Sequence, residues 1–173
     1  AHAILTALYA LAPAYAARCY AWHNKQDGGR ALPDCDQAIR IDPNHYLGYG
    51  IRGVVHAEKR DYDRAIADYD QATRLDSKYK SAYLNRASAW RAKRELDRAI
   101  ADLDAVIRLD PNAANAYNLR GLVRADKRDH DGAIADYGEA IRHDPKYTVA
   151  YYNRGLSWLT KRDYDRAIAD YGE

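Results

Sequence analysis

The eleven residues KRDYDRAIADY stand at 59–69 and again at 161–171, 102 positions apart. That separation is three times 34, and both intermediate places are occupied, by KRELDRAIADL at 93–103 and KRDHDGAIADY at 127–137. A fainter version, KQDGGRALPDC, fills 25–35. A fixed period of this length constrains a chain more than its composition does. Each copy is one supersecondary unit that cannot bury its apolar face alone, so copies must stack on their neighbours.

Repeats are numbered from position 1 at residues 12, 46, 80, 114 and 148. Position 20 is then always alanine (Ala31, Ala65, Ala99, Ala133, Ala167), and position 8 is always small (Cys19, Gly53, Ala87, Gly121, Gly155). Small residues let two helix backbones approach, so these two positions are expected at the crossing of a helix pair. Large residues surround them at helical spacing. Position 4 is tyrosine throughout, position 11 is Trp22, His56, Trp90, Arg124 and Trp158, and position 24 is Cys35, Tyr69, Leu103, Tyr137 and Tyr171. Steps of three and four residues mark one face of an α-helix. Each repeat therefore reads as two amphipathic helices.

The helix ends carry their own signals. Asp27, Asp61, Asp129 and Asp163, with Glu95 in the third copy, precede the second helix, where a carboxylate accepts orphan backbone N–H groups. That helix is expected to stop at Asp42-Pro43, Asp76-Ser77, Asp110-Pro111 and Asp144-Pro145, because proline cannot continue it. In the first repeat, Gly28 and Gly29 followed by Pro33 predict a late start near Arg30 with Pro33 in the first turn. Cys19 and Cys35 are expected to be about one turn out of register, beyond the Cα separation of about 7 Å that a disulfide spans. They are read as two buried free thiols.

Arg at position 7 and Asp at position 23 occur in all five repeats. Five matching carboxylates argue for internal neutralisation rather than for an anion-binding row of arginines, so these residues are expected to pair between helices. The charge balance, 27 Lys plus Arg against 25 Asp plus Glu, gives no basis for a nucleic-acid or membrane partner. No apolar run approaches the roughly 18–20 residues that cross a bilayer. The six histidines form no i, i+4 pair and no HExxH, and no glycine-rich phosphate loop is present. No catalytic residue, metal or cofactor is expected, and the chain is read as soluble, with the cytoplasm favoured over the periplasm or secretion.

The pattern Y..RG..W…DYDRAIADY..AIRLDP at a period of 34 resembles the tetratricopeptide repeat family. The resemblance implies an all-α, right-handed superhelical solenoid of antiparallel helix pairs, with repeats at 12–45, 46–79, 80–113, 114–147 and an incomplete 148–173. It also implies a protein-interaction module that binds a peptide or partner protein in a concave groove lined by the first helix of each repeat. The partner-binding residues expected on that basis are Tyr20, Leu84, Asn85, Ser88, Arg91, Asn115, Asn118, Leu122, Tyr152, Asn153 and Leu156. Asn85 and Asn153 match the family's groove asparagine. The family's carboxylate clamp does not carry over, because Gly50, Val54, Asn115 and Leu119 stand at its places around Asn85. The alternative is a structural scaffold that self-associates through its ends or convex face.

Residues 1–11, AHAILTALYAL, do not fit the repeat. They read as the remnant of an upstream helix rather than the end of a secretion signal, since no basic n-region precedes them. The absence of methionine is read as a removed initiator or an excerpt of a longer chain, and a last repeat that stops within its second helix as a chain that continues or an end covered by a partner.

Overall fold

A computed structural model of the protein describes residues 10–173. The expectation for the N-terminal segment therefore lies mostly outside the described residues. Ten helices are present among them: α1 (Leu11–Asn24), α2 (Gly28–Ile41), α3 (Tyr46–Glu58), α4 (Tyr62–Leu75), α5 (Lys80–Ala92), α6 (Leu96–Leu109), α7 (Ala114–Asp126), α8 (His130–His143), α9 (Thr148–Thr160) and α10 (Tyr164–Tyr171). They fall into two compact units, one ending at Ala89 and one running Trp90–Glu173, with the division inside α5. In the first unit α1 packs on α2 and α3, α2 on α3 and α3 on α4. In the second, α7 packs on α6, α8 and α9, and α9 on α8 and α10.

Two kinds of turn make the helices antiparallel. The turn after the first helix of each repeat holds a residue with positive φ, two places past the helix end: Gln26, Arg60, Arg94, Arg128 and Arg162. The left-handed residue folds the chain back, and the amide after it bonds five residues upstream, as from Asp27 to the Trp22 carbonyl and from Asp129 to that of Arg124. The next aspartate then caps the second helix, with Asp27, Asp61, Asp129 and Asp163 accepting from the amides of Arg30, Arg64, Gly132 and Arg166. Glu95 makes no such bond, its side chain being one methylene longer. The first-repeat helix α2 starts at Gly28, not near Arg30, because the Asp27 cap compensates for the glycines; Pro33 lies inside it.

The second helix ends at the same place with or without proline. Asp42, Asp76, Asp110 and Asp144 each accept from the amide two residues on. This side-chain turn, rather than proline, is common to all four.

Position 20 is fully buried in every repeat. Position 8, however, opposes position 24. A Cβ added to Gly53, Gly121 or Gly155 would stand 2.6, 2.5 or 2.6 Å from Cε1 of Tyr69, Tyr137 or Tyr171. The glycine exists so that a tyrosine ring can lie flat against the helix. The first repeat fills the same place with cysteines, and the expectation of free thiols is wrong: Cys19 and Cys35 are disulfide-bonded with Cα atoms 5.4 Å apart. The axial offset of the two helices brings 8 and 24 level, which places the pair inside the disulfide range. The bridge is buried with Ala31 and Val55 under Trp22, Leu32 and Ile51.

The arginines of position 7 pair as expected. Arg18, Arg52, Arg120 and Arg154 each grip Asp34, Asp68, Asp136 and Asp170 with two N–H···O bonds of 2.6–3.0 Å. Arg52, Arg86 and Arg120 also reach back to Asp36, Asp70 and Asp104 of the preceding helix pair, at 2.7, 2.6 and 2.6 Å. Each of these guanidiniums lies over the position 4 tyrosine of its own helix, 5.1–5.6 Å from the ring centre. The arginine bond to Asp34 holds that carboxyl below its ordinary pKa, and an N–H from Trp22 adds to the effect. Position 11 thus tolerates Trp22, His56 and Arg124 for one reason: each presents nitrogen to the position 23 carboxylate, His56 Nε2 at 3.9 Å from Asp68 and Arg124 Nη1 at 3.0 Å from Asp136.

Candidate functional site

Most repeated polar groups are spent on packing, so a binding site must be sought among those that are not. Neighbouring pairs are pinned by Lys127–Asp97 and Lys161–Asp131 ion pairs. The position 12 and 13 side chains also pair, as His23 with Glu58 at 3.2 Å and Arg91 with Asp126 at 2.5 Å. Arg91 therefore already has an acidic partner. A cavity of about 370 Å³ on the second-helix side of the first unit, lined by Leu32, Asp36, Arg52, His56, Arg64, Ala67 and Asp68, is similarly occupied with its own ion pairs.

The first-helix side of that unit differs. Tyr20 and His23 of α1, Gly50, Ile51 and Val54 of α3, Tyr79 of the turn, and Ser81 and Asn85 of α5 enclose a cavity of about 290 Å³. Gly50 makes room for Tyr79, whose ring and hydroxyl would lie 2.6 and 2.9 Å from a Cβ there. Tyr79 is held edge-on against Tyr46, ring centres 5.1 Å apart. Burial pushes its hydroxyl pKa up, so it stays protonated and can donate. Tyr20 is 53% exposed at the rim. Asn85 is half-buried, and its amide makes no hydrogen bond among the described residues.

Two repeats later the corresponding residues are Asn118, Leu119, Leu122, Tyr147, Val149 and Asn153. There the asparagines are buried, at 5% and 8% exposure. Asn153 Nδ2 donates to Asn118 Oδ1 at 3.0 Å, and Asn118 Nδ2 donates to the Tyr147 hydroxyl at 3.4 Å. These two predicted contact residues are thus buried against each other rather than presented on an open surface.

Of the other expected residues, Tyr152 and Leu156 are exposed on α9, the former with its ring 5.9 Å from that of Tyr171. Asn115 is exposed, and Leu84 and Leu122 are half-buried. The exposed Ser88 donates its hydroxyl to the Leu84 carbonyl. Only Tyr20 and Asn85 of the expected set share the cavity. The other lining residues were not singled out from the sequence, Tyr79 of the turn among them. Its signal was a tyrosine at position 34 followed by asparagine at position 6 of the next repeat, which occurs at Tyr79/Asn85 and Tyr147/Asn153. Among the described residues no three His, Cys, Asp or Glu side chains cluster as metal ligands, and no helix is long and apolar enough to cross a membrane.

Helix pairs of this length, closed by the same turn and packed through positions 8, 20 and 24, define a helical repeat protein. The chain belongs to the tetratricopeptide repeat family, whose model matches residues 52–114, 84–148 and 118–173. This family comprises protein-interaction modules. Among solved structures, a crystal structure of MamA is similar at 26% identity over 93% of this chain and 88% of that one, with a TM-score of 0.82. PilF of Pseudomonas aeruginosa shares the fold at 17% identity, over 96% of this chain and 76% of that one, with a TM-score of 0.87. YrrB, described as a TPR protein with an unusual peptide-binding site, shares it at 20% identity over 90% of this chain and 80% of that one, with a TM-score of 0.73. No curated protein sequence is significantly similar to the chain.

Proposed function

We propose that the chain is an interaction module that takes up an extended peptide on its first-helix face, anchored in the cavity of the first unit by Asn85, Tyr20 and Tyr79. The observation that carries this reading is the accessible, unpartnered Asn85 amide in an apolar-walled cavity, within a protein that pairs nearly every other repeated polar group. Such a cavity, with a few polar groups fixing orientation, is the usual form of a peptide anchor site. The described peptide-binding site of YrrB, on the same fold, is in keeping with it. The Cys19–Cys35 bridge favours an oxidising compartment over the cytoplasm expected from sequence.

A displayed library of random peptides, selected on the wild-type chain and retested on Asn85→Ala and Tyr20→Ala variants with unchanged helical spectra, tests the proposal. Selected peptides should lose binding to both variants. Retention on both would place the site elsewhere.

A further inference from the structure

The row of arginines on the second-helix side has one incomplete member. Arg52, Arg86 and Arg120 each give Nη1 to a carboxylate of the preceding helix pair, Asp36, Asp70 and Asp104, at 2.7, 2.6 and 2.6 Å. One repeat further on, the residue at that place is Gly138. Arg154 keeps its own pair, with Nε and Nη2 on Asp170 at 2.9 and 2.6 Å, but its Nη1 makes no hydrogen bond among the described residues. The place is open as well as unpaired: a Cβ added to Gly138 would meet nothing within 4 Å except Arg154 Nη1, at 3.8 Å. From this we infer that Arg154 and Gly138 form a seat for a carboxylate, supplied by an aspartate or glutamate side chain of a protein partner. The seat lies between α8 and α9 in the second unit, and does not depend on peptide uptake by the cavity of the first.

The surrounding charges favour this ligand. Glu139 is held by Arg142, and Asp136 by Arg120 and Arg124, so neither of the carboxylates beside Gly138 in sequence takes the place. Arg52 and Arg120 each lie between two carboxylates, Asp68 and Asp36 or Asp136 and Asp104. At Arg154 one of the two is missing, and a single incoming negative charge reproduces an arrangement the fold already holds. Asp36 fills the equivalent place within the first-unit cavity of about 370 Å³ that Arg52 also lines. A guanidinium only donates, and a charged acceptor bonds it roughly twice as strongly as a neutral carboxamide. A phosphate dianion would bring a second negative charge towards Asp170. The Arg154 side chain is 24% exposed, which leaves Nη1 within reach of a partner.

The test is a titration of isotope-labelled full chain with capped pentapeptides, alanine at four places and glutamate or glutamine at the centre. A third peptide, all alanine, ends in a free carboxylate. The Arg154 Nε–H signal should shift with the glutamate peptide, which should bind about tenfold more tightly than its glutamine isostere, the worth of one charge-assisted hydrogen bond. Added salt should weaken that binding. Gly138→Asp, which supplies the carboxylate from within, should abolish the response, and Gly138→Asn fills the same place should the first variant fold poorly. Equal binding of the glutamate and glutamine peptides, an unmoved Arg154 signal, or an undiminished response in either folded variant would overturn the seat. Tighter binding of the third peptide than of the glutamate one would overturn the side chain as its source.

Discussion

Gly121 of α7 and Tyr137 of α8 make the position 8 to 24 contact of the second unit, and a double-mutant cycle across them tests how the helix pairs are held. A methyl group on Gly121 would stand 2.5 Å from Cε1 and 2.8 Å from Cδ1 of Tyr137, well inside van der Waals contact. Tyr137 is 1% exposed, so its ring cannot swing into solvent. Forcing in the methyl should cost about 2–3 kcal/mol of overpacking. Helix propensity returns about 1 kcal/mol when alanine replaces an interior glycine. The Gly121→Ala variant should therefore be about 1–2 kcal/mol less stable, a Tm loss of roughly 2–8 °C at this chain length. The third repeat carries Ala87 with Leu103 at these positions, a smaller partner for a larger position 8. Adding Tyr137→Leu should accordingly restore part of the loss, with a coupling energy of about 1–2 kcal/mol in urea melts. Additivity within about 0.5 kcal/mol, or a stabilised single variant, would refute the claim that the glycine serves the ring.

Gly138 is the matched control, since a Cβ there meets only Arg154 Nη1 at 3.8 Å; Gly138→Ala should stabilise the chain by about 0.5–1 kcal/mol, and a loss in the same melts would contradict that. Reducing the Cys19–Cys35 bridge, 16 residues apart in sequence, should cost about 3 kcal/mol by the loop-entropy relation, read as faster hydrogen exchange in α1 and α2 but not in α8 and α9. Burial lowers the His56 pKa from its ordinary 6.5, outweighing the opposing pull of Asp68, so the unfolded chain takes up the proton first as pH falls. Stability from this group is then full above about pH 6.5 and declines below it until the folded imidazole also protonates; His56→Trp, the residue of three other repeats, should flatten that part of the urea-midpoint profile, and an unchanged slope would exclude His56 as its source.

What the sequence determined by itself is whatever repeats along one chain direction. The period, the ten described helices, the aspartate caps and the arginine–aspartate pairs were legible because each depends on spacing within a helix or on a match present in all five copies. What only the tertiary structure decided depends on axial offset between antiparallel helices, which no periodicity encodes. That offset sets position 8 level with 24, joining Cys19 to Cys35 where a slip of one turn was expected. It also separates three asparagines that look alike in sequence. Asn118 and Asn153 meet across two helices and satisfy each other, whereas Asn85 has no such partner and lines a cavity, Gly50 standing at the place of Asn118 with the Tyr79 ring packed against it. The side chain at one position, felt by a helix neighbour rather than a sequence neighbour, decides which amide is buried in a pair and which lines a cavity.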